Sequence, residues 1–202
     1  MYDESFVAVM TATTNEATAL GAHAYGSEHV LLGLLASDDE LTQKVVRAFP
    51  GLTTASVRDA VLGAVDDAPH LARLGLTAHD PAVTVPAERE GSGTRPRTKH
   101  TPELQAALNR ATVKWGHLRR TRAVPNEGKV SSAVLWLGVL EPSARVPRLL
   151  DAMGIDPDDV RTAVLSALVP PGAAVPMWPA EVPAGPITRL LHRVLGRTIV
   201  DG

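Results

Sequence analysis

The chain has 202 residues, of which 45% are hydrophobic, 21% charged and only 3% aromatic, so it is long enough for one sizeable core, and that core is aliphatic. A formal net charge of -2 gives no long-range field that draws the whole molecule onto nucleic acid, and the absence of cysteine excludes disulfides, thiolate metal sites and cysteine nucleophiles. The acidic start MYDESF lacks the basic, apolar pattern of a secretory signal, and no apolar run approaches the ~20 residues that span a bilayer, so a cytoplasmic location is expected.

Taken in order, Phe6, Val9, Met10, Thr13, Ala17 and Leu20 recur at three-and-four spacing and predict a first helix. Ser27 is read as the N-cap of a second, with Val30, Leu31, Leu34 and Leu35 on one side. Asp38 and Asp39 suit the positive end of a third helix carrying Leu41, Val45 and Phe49, which Pro50 and Gly51 stop. Thr53 caps a fourth, with Val57, Val61, Ala64 and Val65 pointing one way. The stretch from Asp66 to Lys99 is rich in Pro, Gly and charge and reads as a long connection.

The plan then recurs. Thr101 with Pro102 and Glu103 starts a helix bearing Leu104, Leu108, Ala111 and Trp115, and a second runs from about Ser131 to Leu140. Val146, Leu149, Leu150 and Met153 mark a third that Gly154 ends, and Asp156 with Pro157 opens a fourth through Val160, Val164 and Leu168. The recurrence is visible residue by residue. Gly51 to Val65 and Gly154 to Leu168 are identical at seven of fifteen positions without a gap, and LLGLL at Leu31 to Leu35 matches WLGVL at Trp136 to Leu140, Gly33 over Gly138. The expected class is all-α: two four-helix repeats over 1–66 and 100–169, joined by a linker over 67–99. A Pro-rich spacer and amphipathic tail follow over 170–202, where Ile187, Leu190, Leu191, Val194 and Leu195 share a face beside Arg189, His192, Arg193 and Arg197. That tail suits a partner helix, a membrane surface or docking back on the bundle, with Trp178 as an anchor in each case.

The run GSEHVLLGLL resembles the GTEHILLGL motif of Clp N-terminal domains, the double-repeat modules at the front of Hsp100 unfoldases such as ClpC and ClpA. The resemblance implies a pseudo-twofold helical bundle, without catalytic residues or cofactor, that captures peptides or proteins of a Clp unfoldase-protease system. It also implies binding of phosphoarginine or of cyclic peptide antibiotics that target ClpC. It makes Ser27 and Glu28 the ligand-binding residues, Ser27 offering a helix N-terminus to a phosphate and Glu28 a carboxylate to a guanidinium, with Tyr2 an aromatic contact for a cyclic peptide. The second copy has Ser132, Ala133 and Val134 at the corresponding positions, which leaves it without that carboxylate. No GxxxxGK[ST] run is present, so a free-standing module that acts as a decoy or modulator is expected rather than an ATPase.

Other signals are weaker. His23 and His29 bracket a turn and a helix start without metal-ligand spacing, so no metal site is expected, and no GxSxG elbow supports a hydrolase. Arg110, Lys114, Arg119, Arg120 and Arg122, joined by Arg95, Arg97 and Lys99, form the densest basic region. They support an alternative reading as a nucleic-acid-associated regulator, set against a solvated helix end.

Overall fold

The structure is a computed structural model that describes residues 2–22, 24–65, 99–124 and 130–179. Arg95, Arg97, His23 and the amphipathic segment after residue 179 lie outside the described residues. Among those described are eight helices: α1 Glu4–Ala19, α2 Ser27–Leu35, α3 Glu40–Ala48, α4 Thr54–Val65, α5 Pro102–Arg120, α6 Ser132–Val139, α7 Val146–Ala152 and α8 Pro157–Leu168. The fold class is all-α, as the periodicity predicts.

Local chemistry sets most of the boundaries. Asp3, Asp39, Thr101 and Asp156 each accept a backbone N–H with the side chain at a helix start, from Phe6, Thr42, Leu104 and Asp158 respectively. At α4, Thr53 and Ser56 cap one another reciprocally: the Ser56 N–H donates to Thr53 Oγ1 at 3.1 Å and the Thr53 N–H to Ser56 Oγ at 3.0 Å. Gly154 ends α7 with φ 73, a left-handed turn open to glycine at no steric cost.

The α2 start departs from expectation. Its N-cap is Gly26, not Ser27, and the Gly26 N–H donates to His29 Nδ1 at 3.1 Å. A histidine at the third helical position thus supplies the cap.

α2 and α6 form the centre. Every residue from Ser27 to Leu34 and from Ser132 to Val139 is buried, the expected state of a helix that is apolar on most sides. α1 covers α2, α5 covers α6, and α2 packs on α6. The third helix of each repeat packs on the fourth helix of the other, α3 on α8 and α4 on α7. The repeats are therefore interlocked, and one core cluster contains Val9, Leu31 and Val57 of the first together with Leu104, Trp136 and Val160 of the second.

The crossings obey a twofold pattern. Ala24–Tyr25 (β1) pairs in parallel with Lys99–His100 (β2), and the Thr101 N–H donates to Tyr25 O at 3.1 Å. In the equivalent place Tyr2 bridges Val130 in parallel and the Asp3 N–H donates to Val130 O at 3.1 Å. These two-residue pairings are the strand structure among the described residues. They tie each second-helix entry to the other repeat's first-helix entry, and so satisfy backbone groups that a helix start leaves free.

Candidate functional site

The sequence-predicted residues at the α2 start are brought against the second repeat. Ser27 is 0% exposed. Its hydroxyl donates to Glu103 Oε1 at 3.0 Å and accepts the Arg145 N–H at 3.1 Å, while that N–H also donates to Glu103 Oε1 at 2.8 Å. Ser27 is thus a clamp on the entry to α7. The phosphate expected there would find the hydroxyl covered, because the other repeat lies over it. Ser132 has the corresponding place, its hydroxyl donating to Asp39 Oδ1 at 2.8 Å and its N–H donating to Ser5 Oγ at 3.1 Å.

Glu28 is 8% exposed. Its Oε1 lies 3.3 Å from Arg145 Nη1, and Arg145 Nε lies 3.3 Å from Glu103 Oε2, so one guanidinium spans two carboxylates. His29 Nδ1 is also 3.3 Å from Glu28 Oε1. That nitrogen serves one role at a time: with a lone pair it caps Gly26, and protonated it pairs with Glu28. Burial disfavours the charged Glu28 side chain. The His29 ring, the Glu28 backbone N–H and the Arg145 guanidinium outweigh burial and hold the carboxyl below the ordinary glutamate value. Glu28 Oε2 is buried without a hydrogen-bond partner. A Cβ at Gly26 would sit 2.5 Å from that oxygen, so glycine there makes room for the carboxylate.

Glu28 lines a groove of about 350 Å³ between α4 and α7. Ala60, Val61 and Ala64 form one wall, Leu149 and Ala152 the other, and Arg145 and Arg148 stand with them. The surface therefore offers an acidic group, two cations and an apolar channel, a combination suited to an extended peptide or a small charged ligand. Arg145 and Arg148 carry no motif; the signal that points to Arg145 is its place at the start of α7, opposite the GSEH run. Tyr2 lies elsewhere. It is 61% exposed, stacks on Phe6 with ring centroids 4.3 Å apart, and pairs with the entry to α6, the pseudo-symmetric counterpart of the α2 start.

The basic region is divided. Lys114 is buried, with Nζ 2.6 Å from Glu141 Oε1, and Arg110 Nε is 3.5 Å from Glu141 Oε2. The solvated basic face expected to include Lys114 is corrected: Glu141, itself 2% exposed, pairs with its buried ammonium, while the Arg110 side chain stays 41% exposed. Arg119, Arg120 and Arg122 remain together at the end of α5, lining a cavity of about 780 Å³ with Pro170, Ala173 and Ala174. Among the described residues no three His, Asp or Glu side chains gather as a metal site requires, and no helix is long and apolar enough to cross a membrane.

No protein-family model matches the chain, and no curated protein matches it. A solved structure does. The N-terminal domain of the caseinolytic-protease-associated chaperone ClpD from Arabidopsis thaliana is similar with a TM-score of 0.55, over 83% of this chain and 94% of that one. The chain has the fold of a Clp N-terminal domain. At 17% identity the likeness is one of architecture. Within this fold the chain's interlocked repeats and reciprocal pairings place the GSEH run at the seam between the halves.

Proposed function

We propose that this protein is a non-catalytic recognition module that binds peptide segments of substrates or adaptors of a Clp unfoldase-protease in the groove between α4 and α7. The observation that carries the reading is Glu28: a buried carboxylate with one oxygen paired to an exposed guanidinium and the other unpartnered, at the head of an apolar channel. A ligand guanidinium takes the place of that of Arg145 on Glu28, since the Arg145 side chain is 62% exposed and keeps Glu103 as a second partner. Arg145 and Arg148 then face the ligand's anionic group, as phosphoarginine would present. Ser27 and Glu103 hold the α7 entry in place beneath them. ClpC-targeting cyclic peptides are a second ligand class, with Tyr2 as their aromatic contact, and a cytoplasmic decoy or modulator is the matching role.

Calorimetric titration with phosphoarginine and with such a cyclic peptide tests this reading. Binding that weakens at least tenfold in Glu28→Ala, equivalent to about 1.4 kcal/mol, supports it. A wild-type chain that binds neither ligand removes it.

The nucleic-acid reading keeps Arg119, Arg120 and Arg122, and the cavity they line favours it. Salt-dependent DNA retention, lost on charge reversal at Arg119 and Arg120, would decide for it.

A further inference from the structure

The two repeats use one pair of equivalent positions differently. In the first, Arg58 on α4 donates to Glu16 on α1 at 2.7 Å and closes the seam between those helices. Arg161 on α8 is the second copy of Arg58 in the shared VR frame, and Lys114 stands thirteen residues after the Thr101 cap, as Glu16 stands thirteen after the Asp3 cap. An ion pair has become two like charges.

The indole of Trp178 lies against both. Lys114 Nζ is 5.4 Å and Arg161 Cζ 5.5 Å from a ring of Trp178, within the range of cation–π attraction. Each cation is steadied by a separate acceptor: Lys114 by Glu141 at 2.6 Å, and Arg161 by Asp158 and by Leu140 O, to which its Nε donates at 3.0 Å. Glu141 itself occupies the position that Ala36 holds in the first repeat, counted from Gly33 and Gly138. The carboxylate of this seam has thus moved from the first helix to the end of the second, and the space it left takes an aromatic ring.

The ring is carried by a proline-framed segment. Pro170, Pro171, Pro176 and Pro179 fix φ and remove backbone donors, which favours an extended path. Next to the ring, Met177 is 88% exposed. The indole packs against both hydrophobic core clusters, while its Nε1 is buried without a hydrogen-bond partner. Recognition therefore rests on the π face and apolar body, and not on the indole N–H.

We propose that the slot between Lys114 and Arg161 is a second binding site, distinct from the Glu28 groove, for an aromatic side chain on an extended, proline-framed peptide, and that Trp178 is its ligand in cis. A partner carrying such a segment binds by displacing the chain's own. The site does not depend on the Glu28 reading, since it shares no residue with that groove.

Fluorescence anisotropy with a labelled synthetic peptide of residues 173–179 tests the proposal on the full chain. Trp178→Ala is expected to bind the peptide at least tenfold more tightly than wild type, in which the slot is filled. A peptide with Phe at the tryptophan position is expected to keep most of the binding, and one with Ala to lose it. Trp178→Leu, which retains an apolar plug without the indole π face, is the second variant, with intermediate affinity. Circular dichroism identifies which variants fold. Absence of peptide binding to the folded variants, or equal binding to variants and wild type, overturns the proposal.

Discussion

Gly33 and Gly138 occupy the same place in the two repeats, and the structure makes opposite demands on them. A Cβ added at Gly33 would lie 2.6 Å from Thr13 N and 2.8 Å from Val9 O, both backbone atoms of α1. One added at Gly138 would meet Leu108 Cδ2 at 2.9 Å, the end of a flexible side chain, and otherwise ordinary contacts at 3.7 Å. Replacing a mid-helix glycine by alanine gains up to about 1 kcal/mol in helix propensity. At Gly138 that gain offsets a small rearrangement of Leu108, and stability is expected to stay within about 1 kcal/mol of wild type. At Gly33 the backbone of α1 must move away from α2, and overpacking of this kind costs about 1–3 kcal/mol or more. For a chain of this size a loss of 2 kcal/mol lowers Tm by roughly 4–8 °C. Urea denaturation followed by circular dichroism at constant protein concentration measures both variants. A Gly33→Ala protein as stable as wild type, or a Gly138→Ala protein less stable than Gly33→Ala, would refute the close α1–α2 approach.

Three further outcomes are expected. Glu141→Gln leaves Lys114 buried without its carboxylate and should cost about 3–5 kcal/mol in denaturant unfolding, with a good part regained in the double variant Lys114→Met/Glu141→Leu; an unchanged midpoint would mean that the pair is not buried as described. Because the folded-state pKa of Glu28 is depressed, its contribution to stability is present above the ordinary value of 4.5 and fades as pH falls through the folded-state value. Glu28→Gln should therefore be less stable near neutrality by about 1 kcal/mol and should show a flatter acid limb, whereas parallel pH profiles would contradict the assignment. Ser132→Ala removes the donor to Asp39 across the seam and should cost about 1 kcal/mol with no change in helical content; a loss of helix would point to a capping role instead.

How far the sequence could be read follows from what each residue answers to. The stripe from Phe6 to Leu20 is the buried side of α1, because periodicity and burial have the same cause. The repeat alignment reports the pseudo-symmetry, because equivalent helices meet equivalent partners across the seam. The misread cap shows the limit. Ser27 is a statistical N-cap, but Gly26 has no side chain to announce itself and the cap arrives from His29, so the boundary shifts by one residue and Ser27 is left to bridge the repeats. Lys114 deceived for a related reason: a cation among arginines reads as solvated until a distant carboxylate is brought beside it. The repeat alignment sets Glu141 over Ala36, but Lys114 falls over Glu16 only when the two helices are counted from their caps at Thr101 and Asp3. The dividing of the Glu28 groove between α4 and α7 is a tertiary fact, as Ala60, Ala64 and Ala152 are unremarkable on their own helices and form walls only when the repeats interlock.

The proposed recognition surface is the seam between the repeats. Backbone amide shifts measured by NMR while phosphoarginine is added address it directly. The predicted result is a contiguous set of changes over Glu28, Ala60, Val61, Ala64, Leu149 and Ala152. Changes confined to another part of the bundle would contradict it.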